Sequence, residues 1–85
     1  MPTRTAVVAS RIGLHARPAS LVSLAAAGTG VPVLLEAHGR SVNAASILGI
    51  LSLDVSHGDE VVVSADDPAA VDALIALLER DLTED

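Results

Sequence analysis

The chain contains no cysteine, phenylalanine, tyrosine or tryptophan. Without cysteine there is neither a disulfide nor a thiolate metal site. Without aromatic rings the bases of a nucleic acid have nothing to stack on. The core has to be built from Val, Leu, Ile and Ala. Acid is also missing from one end: no Asp or Glu precedes Glu36, whereas Arg4, Arg11 and Arg17 all do. The rest of the chain holds every acid and only Arg40 and Arg80 to balance them, for a net charge of −6. That balance argues against general nucleic-acid binding. Its asymmetry predicts a locally positive end on an acidic molecule. No apolar run is long enough to span a bilayer, and Met1-Pro2-Thr3-Arg4 has no signal-peptide apolar stretch. A cytoplasmic protein is expected. A length of 85 residues fits one small domain, 1–85, with a modest core.

What is present reads as β-α-β-β-α-β-α. Thr5 to Val8 is a short strand. Ala16 to Ala27 has helical spacing, with Ala19, Val22 and Ala26 on one face, Leu21 and Leu24 nearby, and Gly28 placed to end the helix at C′. Val31 to Ala37 and Arg40 to Asn43 are strands joined by a tight His38-Gly39 hairpin turn. Ser46 suits the N-cap of a short apolar helix from Ile47 to Leu53. Ser56-His57-Gly58-Asp59 is turn-like and Glu60 to Ser64 is a fourth strand. Asp67-Pro68 is an N-cap followed by an N1 proline, opening a helix to about Leu82 with Val71, Leu74, Ile75, Leu78 and Leu82 on one stripe. Helices stacked on one side of a mostly antiparallel sheet satisfy these faces.

The densest chemistry lies at Gly13-Leu14-His15-Ala16-Arg17-Pro18-Ala19-Ser20. Pro18 fits a first helical turn, where its missing N–H breaks no hydrogen bond. His15 then sits near the N-cap, beside unpaired backbone N–H groups and the positive end of the helix dipole. That is an anion site with a nucleophilic imidazole built in. Attack on phosphorus needs the neutral form of the imidazole. Arg17 is a cation where the dipole disfavours one, which points to an anionic partner. The simplest chemistry for the site is a phosphate carried on the ring. His15, His38 and His57 show no metal-ligand spacing, so no metal is expected, and His38 and His57 read as solvated turn residues.

Gly13-Leu14-His15-Ala16-Arg17-Pro18-Ala19 closely resembles the active-site signature of the histidine-containing phosphocarrier (HPr) family of the bacterial phosphoenolpyruvate:sugar phosphotransferase system. Val42-Asn43-Ala44-Ala45-Ser46-Ile47-Leu48-Gly49-Ile50-Leu51-Ser52-Leu53 is similar to that family's regulatory-serine region. The separation of the blocks and the chain length agree as well. The resemblance implies an α+β open-faced β-sandwich, a four-stranded antiparallel sheet with three helices on one face. It implies a phosphocarrier, not an enzyme, that needs no cofactor. His15 would accept a phosphoryl group on its δ1 nitrogen from phospho-enzyme I and pass it to sugar-specific IIA components. Arg17 would clamp the phosphate, helped by the backbone N–H groups of Ala16 and Arg17. Ser20, Ile47, Leu48 and Leu51 would face partners. Ser46 would be a regulatory phosphorylation site where a dedicated HPr serine kinase/phosphatase exists. The membrane would be met only indirectly, through the permease, and a monomer is expected. Two departures stand out: Ala44-Ala45 replace the basic residue many regulated members carry before the serine, and Ile12 is bulkier and less polar than the family position expects.

Three other readings remain in view. A paralogue in a nitrogen-type regulatory phosphorelay would share the chemistry. A binding module acting only through Ser46 would not need the intact His15 motif. An RNA-binding α/β domain is disfavoured by the acidic charge and absent aromatics.

Overall fold

The computed structural model describes residues 2–80. The elements run β1 (Thr3–Val7), α1 (Ala16–Gly28), β2 (Val33–Ala37), β3 (Arg40–Asn43), α2 (Ile47–Ser52), β4 (Glu60–Ala65) and α3 (Pro68–Leu78). The four strands form one sheet in the order β1-β4-β2-β3, and every neighbouring pair is antiparallel.

Alternation sets the faces. Val33, Leu35 and Ala37 of β2 point inward with Val61, Val63 and Ala65 of β4. In register, Val33 lies opposite Ala65 and Leu35 opposite Val63. The inner face is covered by helices: α3 lies against β1 and β4, α1 packs on α2 and α3, and α2 rests near β3. The other face carries Thr3, Thr5, Leu34, Glu36 and Ser64, with the Thr3 and Ser64 hydroxyls 3.2 Å apart. At the edge of the inner face, Arg4 in β1 shares its side with Ala6 and reaches Asp72 of α3 at 2.7 Å. Both partners are well exposed, so the pair contributes little, about 0–1 kcal/mol.

The core is wholly aliphatic. Its largest buried side chains include Leu14, Leu35, Ile50, Leu74, Ile75 and Leu78. Each buried group of this kind contributes about 1.5–3 kcal/mol. Val71, Leu74, Ile75 and Leu78 make the buried stripe of α3 as the spacing predicts, and Leu82 lies outside the described residues.

Several local expectations hold in detail. Asp67 caps α3 by accepting from the Ala69 N–H, with Pro68 in the first turn. His38 (φ 53) and Gly39 (φ 76) both lie in the left-handed region that a two-residue type I′ hairpin turn demands.

Others are corrected. β1 starts two residues earlier than predicted, at Thr3, and ends at Val7. Gly28 does not end α1 in the C′ position: it is the last helical residue, Thr29 is the C-cap, and the left-handed glycine is Gly30 (φ 77). The reason is Thr29, whose Oγ1 donates to the Ala26 carbonyl at 2.7 Å and carries the turn past Gly28. Leu21 and Leu24 do not join the buried face; they are exposed, Leu24 by 67%. Each stands two positions from Ala19 or Val22, about 200° around the helix. His38 is not a merely solvated turn residue, since its Nε2 lies 3.1 Å from Asp59 Oδ2.

Ile50 and Leu48 belong to the same short helix but to opposite environments, one fully buried and the other 79% exposed. Ile50→Ala should cost about 2–5 kcal/mol in urea denaturation. Leu48→Ala should stay within about 0.5 kcal/mol. Equal losses from the two would mean that α2 packs through a different face.

Candidate functional site

The site begins at a glycine. Gly13 adopts φ 70, and a Cβ there would collide with the Val55 carbonyl oxygen and stand 2.9 Å from Ser56 Cα. Only a hydrogen at this position lets the chain lie so close to residues 55–56. The Gly13 N–H bonds to the Ser10 carbonyl at 2.9 Å and the Leu14 N–H to the Val55 carbonyl at 3.0 Å. Leu14 then plunges into the core, 1% exposed. With Leu14 inside, the next residue has to emerge, and His15 is exposed.

His15 is the N-cap of α1. Its backbone is extended (φ −92, ψ −169), and its carbonyl accepts the first helical bond, from Ala19 N–H at 2.8 Å. Its side chain makes no capping hydrogen bond. The ring is thus left for other work. The N–H groups of Ala16 and Arg17 fall in the first turn, where the helix supplies no acceptor. Pro18, buried, has none to offer. No acid stands in the first turn to neutralise the dipole. Arg17 is exposed in that same turn. An exposed imidazole and a guanidinium at a helix N-terminus are the kinds of group that hold a tetrahedral anion.

Beyond that end the exposed surface turns apolar. On α1, Leu21 and Leu24 follow Arg17 at helical spacing, four and seven residues on. Ile12 is exposed just before Gly13, and Ile47 and Leu48 are exposed on α2, which packs against α1. Ser20 and Leu51 are half-buried, and Leu51 leans on the core. Ile50 and Leu53 are core residues. Leu21 and Leu24 were not among the predicted partner-facing residues; the helical offset from Ala19 and Val22 was the signal for them.

Ser46 caps α2. Its Oγ accepts from Gly49 N–H at 3.0 Å, and its own N–H bonds to the Asn43 carbonyl at 3.0 Å. It lies on an element separate from α1, and its hydroxyl is already occupied as a cap. His38 and His57 stand in turns far along the chain from His15, and no group of His, Asp and Glu among the described residues has the grouping of a metal site.

Residues 2–80 match the family model described as "PTS HPr component phosphorylation site". The chain belongs to the HPr family. A phosphocarrier protein HPr of Streptomyces coelicolor is 51% identical over 63 residues, 73% of this chain and 68% of that protein. The crystal structure of HPr-C-His from Thermoanaerobacter tengcongensis superposes with a TM-score of 0.91 at 39% identity, over 100% of this chain and 99% of that one. An HPr dimer from the same organism matches with a TM-score of 0.70 at 40% identity, over 93% and 94% of the two chains. The open-faced sandwich expected from the resemblance is the fold observed. HPr proteins are phosphocarriers of the phosphotransferase system, and no described helix is long and apolar enough to cross a membrane.

The close approach at Gly13 separates it from the other left-handed glycines. At Gly39 nothing lies within 4 Å of the place a Cβ would occupy. Gly39→Ala should cost only the left-handed penalty, about 1–2 kcal/mol. Gly13→Ala adds a backbone collision and should cost clearly more, measured by urea denaturation. Equal costs would show that the loop before His15 is not seated on residues 55–56.

Proposed function

We propose that this HPr-family chain is a cytoplasmic phosphocarrier, a single domain over residues 1–85. It takes a phosphoryl group from phospho-enzyme I on His15 and passes it to sugar-specific IIA components. The observation that carries the reading is His15 itself: an exposed imidazole at the N-cap of α1 whose side chain caps nothing. In the forward step the neutral ring attacks phosphorus through Nδ1, its proton resting on Nε2. The N–P bond to the donor histidine breaks as the new one forms. The Ala16 and Arg17 N–H groups and the Arg17 guanidinium take up the phosphoryl oxygens, and the helix dipole favours the dianion. Transfer onward reverses the geometry on a second partner. The chain turns over nothing alone, so it is a stoichiometric intermediate and not an enzyme, and it needs no cofactor of its own.

The apolar surface around the site supports docking. Leu48 and Leu24 are the two most exposed large hydrophobic side chains among the described residues, and exposed apolar patches mark contact surfaces. Ile47, Leu48 and Ser20, with the edge of Leu51, form the face offered to enzyme I and to the acceptors. One copy carries every residue the reaction uses, so a monomer suffices. Ser46 serves as the cap of α2 in this reading. Its phosphorylation by a serine kinase/phosphatase is a regulatory addition that carrier function does not require. A nitrogen-type relay would use the same site with different acceptors.

Incubation with enzyme I, phosphoenolpyruvate and Mg²⁺ should add one phosphoryl group in intact-mass spectra. The label should be acid-labile and alkali-stable. His15→Ala should take none, and equal labelling of both forms would end the assignment. Arg17→Ala should fold normally and transfer at least tenfold more slowly, equivalent to about 1.4 kcal/mol of transition-state stabilisation. An unchanged rate would leave Arg17 a surface charge.

Leu48→Asp should melt at nearly the wild-type temperature, because the side chain stands in solvent in the free protein. Its affinity for enzyme I should fall severely, since docking would bury an unpaired carboxylate. Wild-type affinity in a folded mutant would remove α2 from the interface.

A further inference from the structure

Helix α2 is six residues long, too short to hold its own shape. Its buried side chain, Ile50, sets how deeply it sits. Gly49 brings it close to the strand below, since a Cβ there would lie 3.2 Å from Val42 Cβ. Besides the Ser46 cap, both ends are tied to β3. At the N-terminal side the Asn43 carbonyl accepts from Ser46 N–H at 3.0 Å, and Asn43 Oδ1 accepts from Ala45 N–H at 2.9 Å. At the C-terminal side Arg40 Nη1 donates to the carbonyl of Ser52 at 2.9 Å. Ser52 is the last residue of α2, and the helix has no basic residue in its own last turn. The negative end of α2 is therefore met by a cation from another element, twelve residues away in the chain.

We infer that Arg40 is a positioning residue for partner docking: from the first residue of β3 it holds the C-terminal carbonyl of α2 and so sets the pose of the exposed Ile47–Leu48 edge. The inference rests on the phosphocarrier reading above. A guanidinium suits the task because it stays charged and donates from a planar, preorganised fork. Arg40 acts through α2, by its bond to the Ser52 carbonyl. Its loss should weaken encounter with the partner and leave the chemical step alone.

The test uses the full chain as wild type, Arg40→Gln and Arg40→Lys. In the free protein, amide hydrogen exchange of α2 should quicken roughly three- to tenfold in Arg40→Gln, the range expected for one charged hydrogen bond at a helix end. Exchange in α1 and α3 should not change. Arg40→Lys, which keeps a charged donor, should recover much of the protection. In steady-state phosphorylation by enzyme I, KM for Arg40→Gln should rise by a similar factor at constant kcat, with Arg40→Lys again intermediate. Unchanged α2 exchange in Arg40→Gln overturns the inference. So does a raised KM with normal exchange, which would make Arg40 a direct contact, and so does a lowered kcat at constant KM. If wild type accepts no phosphate from enzyme I, the phosphocarrier reading falls and the docking role of Arg40 with it. A competent wild type with unaltered exchange in the variant removes the Arg40 inference alone.

Discussion

Everything at the candidate site hangs on the contact between Gly13 and the backbone of Val55 and Ser56. A glycine with φ 70 lies where no side chain fits, and the neighbouring Leu14 N–H is bonded to the Val55 carbonyl. Residues 55–59 are themselves tied down. Gly58 N–H bonds to the Val8 carbonyl, Val8 N–H to the Asp59 carbonyl, and Asp59 Oδ2 accepts from Ser56 N–H. The end of β1, the entry to β4 and the loop before α1 thus form one hydrogen-bonded unit. Its output is a single position: with Leu14 in the core, His15 has to stand at the outer end of α1. A carrier needs that rigidity, because two different partners have to find the same nitrogen in the same place.

The rest of the molecule supplies a platform and a rim. The sheet and α3 hold α1 in place, mainly through aliphatic side chains, with Ser23 the polar member of the buried face of α1. The rim is apolar where solvent would favour polar residues: Ile12, Leu21, Leu24, Ile47 and Leu48 remain outside the core. Exposed apolar side chains on α1 and on α2, which packs against it, fit a protein that docks on others. In the proposed function the helix end would hold the phosphoryl group and these side chains would meet the partner proteins.

Much of this was legible in the sequence where the signal was local. Pro18 and Pro68 located two helix starts, Asp67 and Ser46 declared themselves as caps, and His38-Gly39 named its turn. Pro18 placed His15 near a helix start, and His15 is the N-cap of α1. What escaped depended on partners distant in the chain or on a choice between near-equivalents. Two glycines flank Thr29, and only the Thr29 hydroxyl bond to Ala26 decides which of them takes the left-handed conformation. The seating of Gly13 on Val55, the His38–Asp59 pair and the reach of Arg40 to Ser52 link residues with no local pattern between them. The exposure of Leu21 and Leu24 follows from helical geometry, since each stands two positions from Ala19 or Val22.

The central claim is that the open end of α1 receives the phosphate carried by His15. It is tested most directly by comparing ¹H–¹⁵N spectra of the free and phosphorylated protein. The account predicts large downfield shifts of the Ala16 and Arg17 amide protons on phosphorylation, as they become donors to phosphoryl oxygens, with α3 and the sheet unmoved. Phosphorylation that leaves those two amides in place while perturbing another region would contradict it.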